Sequence, residues 1–338
     1  MSVADPGTSP AGQTGLPPSR NLAVGVDIGG TKIAAGLVDE VGNLLRRSAR
    51  ATPSSDTRAI AATVVELVDE VAGGRPIGWI GVGAAGCVDA EAGVVHFAPH
   101  LAWRGEPLRD VLSDRIGRPV LVDNDANGAA WAEYRFGAGR GHHDMVMVTV
   151  GTGIGGGIIA GGRVYRGGLG MAGEFGHLVL VRGGRACACG RSGCWEAYCS
   201  GPALIREAAT LMTWETGLPS LLASLADGDP ARVTGPMVTK AADAGCPTAL
   251  AAYRSVGTAL GEGLITLTAV LDSSLVVIGG GAGAGARHLL APARLAYREG
   301  VSGAAYRPVA TIVAAHFGPE AGIVGVADRA RLAGSVHG

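Results

Sequence analysis

A short apolar strand, a glycine-rich turn and a second strand occur twice in this chain, roughly 124 residues apart. In the first round apolar residues alternate from Leu22 to Asp27, IGGTK follows, Ile33–Asp39 reads as the second strand, and Val41–Asn43 is the next turn. In the second round 145–150 is a strand, GTGIGGG (151–157) is the glycine turn, and 158–160 followed by 161–165 continues as strand. A repeat of this kind predicts a duplicated α/β unit, two lobes with a cleft between them. Other elements follow from period and length. Ile60, Val64, Leu67, Val68 and Val71 mark a helix over 56–71 with Ser55 or Asp56 as N-cap. Strands are expected at 77–83 and 119–123, and a helix at 126–136. Helices are expected at 202–212, 249–270 and 284–298, and a late strand is expected over LVVI, just before Gly279.

The 338 residues suffice for a sizeable core, and 47% of them are hydrophobic, as in an ordinary folded protein. The formal charge of −1 argues against a partner such as nucleic acid. Glycine is the outlier, at 57 residues, which points to many tight turns and close backbone approaches. Lys32 and Lys240 are the only lysines, so basic roles fall to arginine. Residues 1–20 carry neither a basic start nor an apolar core and read as a flexible Pro/Gly/Ser tail, not a signal peptide. No apolar run long enough for a membrane span survives, since Glu262 and Asp272 break the best stretch. The expectation is a soluble, cytoplasmic protein.

The run from Gly151 to Gly156 has the GxGxxG form, but a strand-like segment follows it, not a helix, so a dinucleotide fold is excluded. Neither lysine follows a glycine, which excludes a Walker A loop. Two readings of the glycine turns at 27–32 and 151–157 remain. They are plain hairpin turns, or backbone N–H concavities for phosphate facing one cleft.

Asp123 and Asp125 lie where a strand gives way to a helix, the place where α/β sheets hold ligands. The helix N-terminus favours an ionised Asp125. Such a carboxylate either caps the helix or takes a proton from an alcohol. Asp123 reads as structural. Cys187, Cys189 and Cys194 form C-x-C-x4-C, with His177 ten residues earlier. Three thiolates and one imidazole complete a tetrahedral Zn²⁺ shell with no open position, hence a structural ion. The alternative is a buried cysteine cluster or a disulfide. Gly190 and Gly193 permit a tight wrap, and Cys87, Cys199 and Cys246 read as small hydrophobes.

These motifs together resemble the actin-like sugar-kinase superfamily and, within it, the ROK family. DIGGTK (27–32) is similar to the first phosphate motif, Gly151-Thr152-Gly153 to the second, and the glycines after LVVI to the adenosine motif. VDNDAN (122–127), EFGH (174–177) and CACGRSGCWE (187–196) are ROK marks, and FAPHLAWR (97–104) resembles the glucokinase branch. The resemblance covers about 22–330. It implies an α/β, two-domain actin-like ATPase fold, ribonuclease-H-like, with an interdomain cleft. A small domain would span 21–128 plus 321–338, and a large domain with the zinc knuckle 129–320.

The implied activity is ATP-dependent phosphorylation of a hexose, glucose first. N-acetylmannosamine, fructose, allose or a polyphosphate donor are alternatives. Asp125 would be the general base. Gly86, Asn124, Glu174, His177 and Glu196 would contact sugar, His177 also serving the metal. Asp27, Gly29, Gly30, Thr31, Lys32, Gly151, Thr152 and Gly153 would line the phosphates, with Mg²⁺ near Asp27 through water. Gly280 and Gly281 would pass the adenosine. Cys87 stands where many members have an aromatic residue or proline. A homodimer is implied by analogy. A sugar-responsive repressor needs a DNA-binding module that 21 residues before the first strand do not supply. An actin-like filament or chaperone module has no use for the knuckle or for DNDAN.

Overall fold

The computed structural model describes residues 21–214, 220–281 and 285–335. The tail expected over 1–20, the start of the helix expected at 284 and the end of the segment expected to reach 338 lie outside the described residues. Strands β1 (Ala23–Ile28), β2 (Lys32–Val38) and β3 (Leu44–Ala51) form an antiparallel meander, and β4 (Trp79–Ala84) runs parallel to β1. A small sheet of β5 (Cys87–Asp89), β6 (Val94–Phe97) and β7 (Arg104–Glu106) precedes β8 (Val120–Asn124), which is parallel to β4. The second half repeats the pattern. Strands β9 (Met145–Val150), β10 (Ile154–Ala160) and β11 (Arg163–Tyr165) are an antiparallel meander, and β12 (Leu275–Gly279) and β13 (Thr311–Ala314) continue in parallel from β9. The sheet orders β3-β2-β1-β4-β8 and β11-β10-β9-β12-β13 correspond strand for strand.

Helices α1 (Thr57–Ala72) and α2 (Leu108–Ile116) accompany the first sheet. Asp56 caps α1, its carboxylate accepting from the N–H groups of Arg58 and Ala59. Helix α3 (Asp125–Phe136) leads to the second half. There α4 (Gly201–Trp214), α5 (Leu221–Leu225), α6 (Gly235–Asp243), α7 (Pro247–Leu271) and α8 (Ala286–Gly300) build a helical layer. Each half has its own core. A third core, drawn from both sheets, from α3 and from α9 (Ala321–Ser335), joins the two. Among the described residues no helix is long and apolar enough to cross a membrane.

One expectation needs correction. The stretch 151–157 is a turn only as far as Gly153, and β10 begins at Ile154. Its glycines are there for packing. A Cβ on Gly157 would lie 2.5 Å from Ala130 Cβ and 2.8 Å from the Ala126 carbonyl oxygen, so α3 rests directly on the β10 backbone. Strand β3, the β5–β7 sheet, α2 and β13 were not expected from the sequence.

Glycine also seats α9. A Cβ on Gly25 of β1 or on Gly81 of β4 would collide with the carbonyl oxygens of Ile323 and Val326, and one on Gly325 with the Gly128 carbonyl of α3. The helix therefore lies on bare backbone of both the sheet and α3. Backbone cannot move aside as a side chain can, so Gly81→Ala should cost about 1–3 kcal/mol. The control Gly235→Ala, whose Cβ would meet nothing within 4 Å, should cost far less. Urea unfolding of both variants checks this. Equal midpoints would refute the packing argument.

Candidate active site

The parallel register builds the site. Asp27 is paired with Gly83, and Gly83 with Asp123, so these residues lie side by side near the carboxyl ends of β1, β4 and β8. Asp125 follows two residues on. Gly83 leaves it room, since a Cβ there would be 3.3 Å from Asp125 Cα. The three polar residues of the Asp-Asn-Asp run then divide the work. Asn124 caps α3, its Oδ1 accepting from the N–H groups of Ala126 (2.9 Å) and Asn127 (3.1 Å), while its Nδ2 donates to the Gly86 carbonyl at 3.1 Å. Asp123 is buried and pairs with Arg166 (2.5 Å) and Arg329 (2.8 Å). Asp125 is left half-buried; its Oδ1 accepts the Ala126 N–H at 2.9 Å.

The electrostatics differ from the sequence expectation at Asp125. Burial first, then the charge of Asp27, push its pKa up to about 7, with Glu174 adding to the rise. The Ala126 N–H pulls the other way without prevailing. The helix N-terminus is therefore outweighed by the loss of water and by crowding of carboxylates. Asp27 is likewise pushed up to about 6 by burial, against the pull of Lys32. Glu174, exposed at the rim, is raised by partial burial; His177 lowers it and Glu196 raises it. These mutual influences place Asp27, Asp125, Glu174, His177 and Glu196 in one electrostatic neighbourhood. Cys87 joins it, raised by burial and then by Glu174.

The glycine loops adjoin this group. In the first, the Gly29 N–H donates to the Lys32 carbonyl at 3.0 Å, and Thr52 holds the loop through Gly29 and Thr31. Thr31 and Lys32 are exposed. A Cβ on Gly30 would lie 2.7 Å from His100 Cβ. In the second, the Gly151 N–H donates to the Gly153 carbonyl at 2.9 Å, and Thr152 is exposed at its tip. Gly280 has φ +91° and packs on Val150, while Gly281 and Gly151 face each other with no side chain between them. That bare slot is what a close approach of polyphosphate to backbone requires.

His177, Cys187, Cys189 and Cys194 bring one ligand atom each within 4.8 Å of one another. The Cys189–Cys194 Sγ separation is 3.7 Å and Cys187 Sγ lies 3.8 Å from His177 Nδ1. A tetrahedron with Zn–S of ~2.3 Å has an edge of ~3.8 Å, so the donor set fits the ion. Gly190 and Gly193 turn the chain with positive φ, and all six cysteines are free thiols. Glu196 ties this knuckle to the second glycine loop. One oxygen lies 3.2 Å from Cys187 Sγ and the other accepts the Ile154 N–H at 3.3 Å. Trp195, wholly buried, fastens the knuckle to α7 by donating to the Ala259 carbonyl at 2.8 Å.

The ROK family model matches residues 23–332. The chain belongs to the ROK family. It is 44% identical to a glucokinase of Streptomyces coelicolor over 310 residues, 92% of this chain and 98% of that one. It is 35% identical to a glucokinase of Thermotoga maritima over 276 residues, 80% and 85% of the two chains. Its fold matches the crystal structure of a ROK family glucokinase from Streptomyces griseus in complex with glucose and AMPPNP, at 44% identity and TM-score 0.85, covering 92% of this chain and 99% of that one. The two repeated sheets are thus the actin-like ATPase pair.

Sequence reasoning missed several residues that hold this site in place. Arg166 and Arg329 lie far along the chain from Asp123, and Thr52 follows an unexpected strand, so no local pattern marks any of them. Trp195 lies within CACGRSGCWE, a motif that does not reveal its anchoring part. The pKa of Asp125 yields a prediction. Its folded value, about 7, lies above the ordinary aspartate value of 3.8, so the folded state binds the proton more tightly. Stability therefore falls as pH rises between those values. Asp125→Asn should melt above the parent at pH 8 and level with it near pH 4. Thermal melts at both pH values test this, and a variant that gains nothing at pH 8 contradicts the assignment.

Proposed function

We infer that this ROK protein is an ATP-dependent hexose kinase that phosphorylates glucose at its C6 hydroxyl. The observation that carries the reading is the division of labour in the Asp-Asn-Asp run. Asn124 does the capping and Asp123 is neutralised by arginines, which leaves Asp125 beside Asp27 and Glu174 with no ion-pair partner among the described residues and only the Ala126 N–H on its carboxylate. The likeness to glucokinases over nearly the whole chain supports glucose as the acceptor.

A neutral polyol is recognised by directional acceptors and donors, which Glu174, Glu196, His177 and Asn124 supply beside Gly86. A proton passes from the C6 hydroxyl to an Asp125 oxygen as the alcohol oxygen attacks the γ-phosphorus in line and the bond to the β,γ-bridging oxygen breaks, with ADP leaving. A pKa near 7 suits an acceptor that must take a proton and release it at neutral pH. Backbone N–H groups of Gly29–Thr31 and Gly151–Gly153 hold the phosphates from two sides, and Lys32 offsets charge at Asp27. Gly280 and Gly281 carry the adenosine end. Asp27 would hold Mg²⁺ through water, and that ion supplies charge neutralisation on the phosphate oxygens. His177, Cys187, Cys189 and Cys194 would hold Zn²⁺, whose contribution is rigidity of the segment bearing Glu174 and Glu196. We assign residues 21–128 plus 321–338 to the smaller domain and 129–320 to the larger, in a cytoplasmic homodimer. Six free thiols agree with a reducing compartment.

A coupled assay across hexoses, with ATP and with polyphosphate, tests the reading; glucose with ATP should give the highest kcat/KM. Asp125→Asn should lower kcat at least ~10²-fold, and near-parental turnover would rule Asp125 out as the base. In the parent, kcat/KM should fall as pH drops through about 7, since a protonated Asp125 cannot accept. For the knuckle, metal analysis should find one zinc per chain. Cys189→Ser should lose it and raise the glucose KM by ~10-fold or more. A zinc-free protein with parental KM would dismiss the positioning role.

A further inference from the structure

Two adjoining cavities lie beside Asp123, and neither is lined by Asp27, Asp125, Glu174, His177 or Glu196. The first, about 320 Å³, is walled by Trp131, Arg163, Val164, Arg166, Arg329 and Leu332. The second, about 260 Å³, shares Arg166 and Arg329 with it and reaches Asp123 and Glu91. Three guanidinium groups therefore line these two adjoining cavities, Arg166 and Arg329 both of them.

The charge around this space is unbalanced. Arg166 and Arg329 share the single carboxylate of Asp123. Just behind them Arg135 (3.2 Å) and Arg331 share Asp328, which also accepts the Trp131 Nε1–H at 2.8 Å. Arg163 is exposed at the mouth of the first cavity and has no ion-pair partner among the described residues. Among the lining residues three guanidinium groups meet two carboxylates, Asp123 and Glu91, in a chain whose whole formal charge is −1. Burial lowers the pKa of Arg329 to about 10, against the pull of Asp123 and Asp328, and Arg166 adds to the fall. A concave surface with focused positive potential concentrates anions. Guanidinium forks match the tetrahedral oxygens of phosphate in geometry as well as in charge.

The remaining wall is apolar. The Trp131 ring, with Arg329 5.8 Å from its centroid, stands beside Val164 and Leu332. A site of this composition suits a ligand with one phosphate and a small organic body. Each cavity alone is near the low end for ligand pockets, ~300–1,000 Å³.

We propose that this double cavity is a second anion site, separate from the cleft, that binds a small phosphomonoester through Arg163, Arg166 and Arg329. Its phosphate takes up the donors that Asp123 leaves unsaturated, and its organic part covers Trp131 and Leu332. The proposal does not depend on the role given to Asp125.

Isothermal titration of the full chain with 2-glycerophosphate, and separately with inorganic phosphate, tests it. Saturable binding is expected for both. The ester should bind more tightly if the apolar wall contributes, and equal affinities would overturn that part. Arg163→Glu should weaken binding at least ~10-fold, on the strength of charge-assisted hydrogen bonds. Leu332→Trp, which fills the cavity without altering charge, should do the same. AMPPNP separates this site from the cleft. A probe in the arginine cavity stays bound when AMPPNP is added, whereas a probe in the phosphate loops is displaced. Absence of binding, parental affinity in either variant, or displacement by AMPPNP overturns the proposal. Failure of the kinase reading would appear instead as absence of glucose phosphorylation, with this binding intact.

Discussion

The contact on which the rest depends is that of α9 with backbone that carries no side chains. Its carbonyl groups at Ile323 and Val326 occupy the space above Gly25 and Gly81, and Gly325 occupies the space against Gly128 of α3. Two helices and a sheet thereby approach more closely than any Cβ allows, and the third core forms between the halves. The consequence reaches the chemistry. Gly322, at the start of α9, lies over Asp27, where a Cβ would be 3.3 Å from its Cγ. Asp125 opens α3, the helix on the other side of the contact. The glycine content of the chain is in good part a requirement of this joint, not only of ligand loops.

Close approach also sets the electrostatics. Burial is the first cause that raises Asp27, Asp125 and Glu174 above their ordinary values, and the charges of Asp27 and Glu174 add to the rise at Asp125. Desolvation and like charge both oppose ionisation there. A fold gains no stability from this arrangement, and the same groups elsewhere on the surface would cost nothing. Uncompensated carboxylates in one cleft are what a site must keep if it is to receive a cation with its phosphates and then a proton. The strain is local because neighbouring charges are neutralised. Asp123 has its two arginines, and Asp328 has Arg135, Arg331 and Trp131.

Much of the architecture was legible in the sequence, and the illegible parts share a cause. Strands β1, β2, β9 and β10 are buried on both faces, so their apolar runs stand out. Strand β3 is an edge whose run LLRRSARA is mostly exposed, so its arginines hide it. The thiols of the knuckle could be read because their spacing is short and their chemistry narrow. Glycine was legible as an anomaly and misread in place. The run at 151–157 looks like one turn on paper, while its second half is a strand thinned to admit α3. Helix-end electrostatics misled at Asp125, because the dipole is a local term and burial a tertiary one.

The Asp-Asn-Asp run shows why a local motif needs its distant partners before it has a mechanism. By type alone, either aspartate could cap, pair or catalyse. What separates them is Arg166, 43 residues away, and Arg329, still further along the chain. By claiming Asp123, these two fix the first carboxylate as a strut. Its Oδ1 then accepts the Asn124 N–H at 2.9 Å and the Asn127 Nδ2–H at 3.2 Å. Held in this way, Asn124 is in place to take the cap, and Asp125 inherits neither task. The arginines that shape the anion cavity are thus the same ones that leave the neighbouring carboxylate without a structural role.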